Sequence, residues 1–77
     1  MTKDKILQSI IKERCRQDDK WGEQNHDVFK WLAILGEEVG EANKAALDQD
    51  VTNLLDELVQ IASVSVAMIE SIHRNRK

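Results

Sequence analysis

From Leu54 to Ile72 the chain sets Leu54, Leu55, Leu58, Val59, Ile61, Ala62, Val64, Val66, Ala67, Met68, Ile69 and Ile72 on nearly every face of one helical pattern. A helix that is apolar all round must be buried on all sides. The whole chain has only 77 residues, and a single core of that size buries too little apolar surface to leave much stability in hand. Two further helices from so short a chain cannot wrap a third. A second copy is therefore expected to supply the remaining walls, in a helical bundle across a two-fold axis. The expected fold is all-α: a three-helix chain that forms a helical bundle through homodimerisation.

The rest of the chain reads in the same way. With no proline and three glycines, the composition favours helices joined by short turns. Ile6, Ile10, Ile11 and Cys15 recur at three- and four-residue steps, which predicts a first helix over about Thr2 to Lys20 with Cys15 half-buried. Gly22, Asn25 and Asp27 are turn chemistry, so Trp21 to His26 is expected as a loop and Asp27 as the cap of the next helix. Trp31, Leu32, Leu35, Val39, Ala42 and Ala46 carry a second helix from Val28 to about Leu47. Gly36 and Gly40 lie inside it, each costing about 1 kcal/mol relative to alanine. Such a cost implies a benefit, either close helix approach or room for a ligand. Asp48, Gln49 and Asp50 break the pattern, and Thr52 or Asn53 is the expected cap of a third helix ending near His73. So short a connection makes helices two and three antiparallel.

Charge and hydropathy exclude several classes. Lysine plus arginine total 11 against 14 for aspartate plus glutamate, a formal charge of -3, which disfavours bulk attraction to nucleic acid or anionic lipid. The longest nearly apolar stretch, Leu58 to Ile69, is broken by Gln60, Ser63 and Ser65 and is far shorter than the ~20 residues of a membrane helix. Met1-Thr-Lys-Asp-Lys leads into an amphipathic pattern without the apolar segment of a secretory signal. A lone Cys15 allows no intrachain disulfide. The expected location is cytoplasmic, with neither membrane nor nucleic acid as a partner.

The chemistry gathers in helix two. Glu37, Glu38 and Glu41 fall within five residues of one another beside Ile34, Leu35, Val39 and Ala42. Side chains three or four apart share a helix face, so these carboxylates repel. Glu57 sits among Leu54, Leu58 and Ile61 on helix three, where an unpaired charge is costly to bury. Lys44, three residues beyond Glu41, can neutralise part of the cluster by salt bridging, as in an ordinary acidic face. A hard divalent cation would remove repulsion and desolvation together, since Mg²⁺ takes oxygen ligands and keeps waters or phosphates in its other positions.

The string Glu37-Glu38-Val39-Gly40-Glu41, followed after 15 intervening residues by Glu57-Leu58-Val59-Gln60, resembles the E-E-x-x-E then E-x-x-D signature of the MazG-like all-α nucleoside triphosphate pyrophosphohydrolases. Glu13-Arg14, Gln17 to Trp21, His26 and Trp31 to Gly36 are similar to the entry loop and second helix of that family, so the resemblance spans roughly Ile6 to Glu70 and makes residues 1–77 a single MazG-like helical domain. It implies Mg²⁺, or Mn²⁺, held by Glu38, Glu41, Glu57 and position 60. Water attacks the α-phosphorus of a nucleoside triphosphate and releases a nucleoside monophosphate and pyrophosphate. Glu37 or Glu38 is then the candidate catalytic residue that positions or deprotonates the water, and the protein acts as a dimer or tetramer.

Substrate contacts are expected from Lys44 to phosphate oxygens, from Trp21 by base stacking, and from His26 to a base or phosphate; Trp31 reads as core. Position 60 departs from the signature. Gln60 offers a carbonyl oxygen but no charge, which lowers metal affinity. The alternative reading is thus a catalytically weakened nucleotide-binding or structural helical dimer.

Overall fold

A computed structural model of the chain describes residues 1–76. It contains three helices, α1 (Lys3–Trp21), α2 (Val28–Leu47) and α3 (Val51–Asn75), and no strand among the described residues. None of these helices is long and apolar enough to cross a membrane.

Each helix starts where a side-chain oxygen takes up a free backbone amide. Thr2 caps α1 by accepting from the Lys5 N–H at 3.3 Å, so it precedes the helix it was expected to begin. Asp27 caps α2 as expected, accepting from the Lys30 N–H at 2.9 Å. The cap of α3 is neither Thr52 nor Asn53. Asp50 takes that place, accepting from the Asn53 N–H at 3.1 Å, so that Val51, Thr52 and Asn53 already lie inside the helix.

The ends differ too. Trp21 is the last residue of α1 and not part of the loop, since Gly22, at φ 70, takes the left-handed turn that stops the helix one residue later. α2 ends on the paired bonds Gln49 N–H to the Ala46 carbonyl and Asp50 N–H to the Ala45 carbonyl. That closure puts Gln49 at φ 56. α3 runs to Asn75, two residues past the expected end.

α3 is the central element. α1 and α2 each pack on it and not on each other. Trp31 lies against Val64 and Ala67, flanked by Ile34, Leu35 and Met68, and Trp31 is 2% exposed. Trp31 meets Ala67 while Glu41 meets Glu57, so α2 and α3 are antiparallel. α1 is held to α3 by polar contacts. Arg14 donates to Glu70 through Nε (2.9 Å) and Nη2 (2.8 Å) and to Asp18 at 2.9 Å. Arg74 ties the end of α3 to the α1–α2 loop, donating to the Gln24 carbonyl at 2.9 Å and to Asn25 Oδ1 at 3.1 Å.

Within one chain α3 is not buried on all sides. Val51, Leu55, Leu58, Val66, Ile69 and Ile72 are exposed, because α1 and α2 cover only the opposite face. Val51, Leu55, Leu58, Ala62, Ser65, Ile69 and Ile72 follow steps of four and three, the 3.5-residue period of a helix–helix seam. On α2, Phe29, Leu32, Val39 and Leu47 are also exposed. A Cβ added at Gly36 or Gly40 would meet nothing within 4 Å. These glycines therefore serve no close approach inside the chain. Cys15, expected half-buried, is exposed, since α3 packs against the neighbouring stripe of α1 that carries Gln17.

Candidate metal centre

Glu38 and Glu41 project from one face of α2, and the antiparallel crossing brings Glu57 of α3 opposite them. One carboxylate oxygen from each lies within 4.8 Å of the others. Glu38 and Glu57 are half-buried and Glu41 is exposed. Beside them is a cavity of about 350 Å³ lined by Glu41, Lys44, Ala45, Asp48, Asn53 and Glu57.

Among the described residues no cation is paired with this cluster. Among the described residues, the ion pairs join Arg14 to Asp18 and Glu70, Arg16 to Glu13 and Arg74 to Glu23. Lys44 lines the cavity without pairing with Glu41, so the salt bridge that the spacing allowed is not made. Glu57 Oε2 is buried and has no hydrogen-bond partner.

Crowding shifts both ends of the cluster. Repulsion from the Glu57 carboxylate, with slight desolvation and the charge of Glu37, pushes the Glu41 carboxyl above its usual 4.5. Burial, followed by repulsion from Glu38, pushes Glu57 up. Three converging carboxylates, one with an unsatisfied buried oxygen, fit a hard cation with oxygen ligands. The donor set suits Mg²⁺ or Mn²⁺ and lacks the nitrogen and sulfur ligands favoured by softer ions.

The other expected site residues are distributed differently. Glu37 is exposed on α2 and reaches the cluster only through its charge on Glu41. Gln60 turns to α1, where its Oε1 accepts from Gln17 Nε2 at 3.4 Å. Trp21 is 52% exposed, with the Lys20 ammonium 4.6 Å and the Arg16 guanidinium 5.9 Å from its ring centroid. His26 packs edge-on against Trp31, centroids 4.8 Å apart, so it supports the core at the start of α2. That end lies about 15 Å along the helix axis from Glu38.

Glu13 and Gln17, given no role in the sequence beyond the family likeness, turn toward α3. They continue the α1 stripe of Ile6 and Ile10 at the same steps of four and three, a signal that polar groups were being turned inward. Gln17 is buried, and Glu13 has a side chain only 12% exposed. A bond from Arg16, opposed by burial and reinforced by bonds from Gln60 and Gln17, holds the Glu13 carboxyl below its usual value.

Comparison with protein-family models, curated proteins and solved structures gives no match to the chain.

Proposed function

We propose that the protein is a divalent-cation-dependent nucleoside triphosphate pyrophosphohydrolase, a hydrolase releasing a nucleoside monophosphate and pyrophosphate, working as a homodimer or a tetramer in the cytoplasm. One observation carries the reading: Glu38, Glu41 and Glu57 converge, and among the described residues no cation is paired with them. Their motif spacing adds to it.

Glu38, Glu41 and Glu57 hold the metal, which when bound neutralises triphosphate charge and acidifies a water molecule. Glu37 or Glu38 orients that water or takes its proton. Lys44, unpaired at the edge of the adjacent cavity, contacts phosphate oxygens, and exposed Trp21 stacks on the base. The exposed seam of α3 and the uncovered Gly36 and Gly40 of α2 supply the surface for a second copy.

A panel of nucleoside triphosphates assayed with Mg²⁺ for pyrophosphate release tests the activity. Wild type should release pyrophosphate from at least one of them, and Glu38→Gln or Glu41→Gln should abolish release. The competing reading, a weakened nucleotide-binding or structural dimer, draws on Gln60 being engaged with α1. It prevails if the panel is blank for wild type while Mg²⁺ still raises the melting temperature.

A further inference from the structure

The cavity of about 350 Å³ beside the carboxylates extends past them toward the α2–α3 turn. Glu41 and Glu57 line one end, Lys44 follows on α2, and Asp48 of α2 and Asn53 of α3 line the other. Glu41, Lys44, Ala45 and Asp48 are three and four residues apart and so share one side of α2, while Asn53 stands four residues before Glu57 on α3. Asp48 is seven residues beyond Glu41, about 10 Å along the helix axis.

Folding alone gives no reason for this carboxylate. Asp48 is the C-cap of α2, where the negative end of the helix dipole repels it. The turn closes through backbone only, with the Asp48, Gln49 and Asp50 N–H groups donating to the Lys44, Ala46 and Ala45 carbonyls. Lys44, four residues earlier, makes no ion pair with Asp48. Asn53 is held by its backbone N–H, and among the described residues neither its side-chain amide nor the Asp48 carboxylate has a hydrogen-bond partner. A carboxylate that opposes its own helix and pairs with nothing in the chain, in the wall of a cavity next to a metal centre, points to a ligand.

Resting on the hydrolase reading above, we propose that this end of the cavity receives the sugar of the nucleotide, that Asp48 accepts hydrogen bonds from its 2′- and 3′-hydroxyls, and that the substrates are therefore ribonucleoside triphosphates in preference to 2′-deoxyribonucleoside triphosphates. The order of charges sets the direction of the substrate. Phosphate oxygens are attracted by a cation on the three glutamates and by Lys44, and are repelled by Asp48, so the phosphate chain runs away from Asp48 and the nucleoside faces it. The first donors beyond the α-phosphate are the sugar hydroxyls, and an ionised carboxylate accepts without donating. An acidic side chain holds the ribose 2′-hydroxyl in the same way in dinucleotide-binding folds. Asn53, opposite on α3, offers the sugar an amide that both donates and accepts.

The test pairs each ribonucleotide with its deoxy counterpart. Pyrophosphate release with Mg²⁺ is measured for ATP against dATP, GTP against dGTP and CTP against dCTP, in wild type, Asp48→Asn and Asp48→Ala. Wild type should favour the ribonucleotide of an active pair by about tenfold or more in kcat/KM, as expected for a hydrogen bond to a charged group. Asp48→Ala should bring that ratio close to one, and Asp48→Asn, which keeps the shape and one acceptor, should fall between. Without nucleotide, Asp48→Ala should melt no lower than wild type, because the helix end loses a repelled charge. Equal release from the two members of every active pair by wild type overturns the proposal and leaves the hydrolase standing. A ratio that Asp48→Ala leaves unchanged also overturns it, since another group then reads the sugar, and so does an Asp48→Ala protein that melts well below wild type, since the side chain then serves the fold. No release by wild type from any nucleotide removes the hydrolase reading and this proposal with it.

Discussion

At the level of single residues, the carboxylates set opposing pH responses. Glu41 and Glu57 have folded-state pKa values raised above 4.5, so the native state holds protons that the unfolded chain has released. Stability of the metal-free protein therefore falls as pH rises from about 4.5 through those raised values. Glu13, lowered, acts in the other direction: its contribution is present above 4.5 and is lost as pH falls through its folded value. Glu57→Gln separates them. In EDTA the variant should melt a few degrees above wild type at pH 7, with the gap closing toward pH 4.5; a variant no more stable than wild type at pH 7 contradicts the crowding. With millimolar Mg²⁺ the order reverses, because only wild type gains stability from binding to the native state, and the gain grows with pH as the ligands deprotonate. Coincident melts with and without Mg²⁺ would mark an ordinary acidic face. Three- and four-residue steps set Glu37, Glu38 and Glu41 on one face of α2 in the sequence, whereas the approach of Glu57 depends on the α2–α3 crossing, which spacing does not give. The contact of Gln60 with α1 is not legible in the sequence, because it depends on the partner that Gln17 offers across the α1–α3 packing.

Among the helices, boundaries followed the order of local forces. Asp27 was readable as a cap because Gly22 and Asn25 isolate it, but Asp50 competes with Thr52 and Asn53, and only the backbone trace of the α2–α3 turn decides among them. That turn also explains Gln49. The Ala45 and Ala46 carbonyls are satisfied by closing through a left-handed residue, and a side chain at φ 56 carries a cost that glycine does not. Gln49→Gly should stabilise the protein by about 0.5–1 kcal/mol, the left-handed penalty less the extra chain entropy of glycine. Gln49→Val should destabilise it, as a β-branched residue tolerates positive φ poorly. Thermal melts of the two variants at one protein concentration check both signs. Gly36 and Gly40 behave otherwise. Their φ values are helical and no neighbour in the chain crowds them, so the costs noticed in the sequence find no compensation inside one copy.

For the molecule as a whole, the unmet requirement is cover for the outer face of α2 and α3. The periodicity of α3 established that both sides needed apolar partners, and the structure supplies one side only. Buried apolar residues amount to Trp31, Ala42, Ala45, Val64 and Ala67, a small core for a chain of this length. Opposite them runs the 3.5-period seam from Val51 to Ile72, about 30 Å long and without a charged side chain along it. An uncharged, mostly apolar strip of that length, broken only by Ser65, suits a second copy, because a two-fold axis sets identical seams together. Leu58 and Ile69 lie on it, 49% and 55% exposed, clear of the three carboxylates and of the Trp31 core. Light scattering of wild type should report at least twice the 8.8 kDa chain, with a melting temperature that climbs with protein concentration as mass action requires. Leu58→Glu with Ile69→Glu should reduce the mass to one chain and abolish that concentration dependence, since paired seams would then bring like charges together in an apolar interface. If wild type is a stable monomer at micromolar concentration, or the double variant associates as tightly, the seam is not the contact between copies. The open face of α2, with Gly36 and Gly40 uncovered beside exposed Phe29 and Leu32, is then the surface to substitute next.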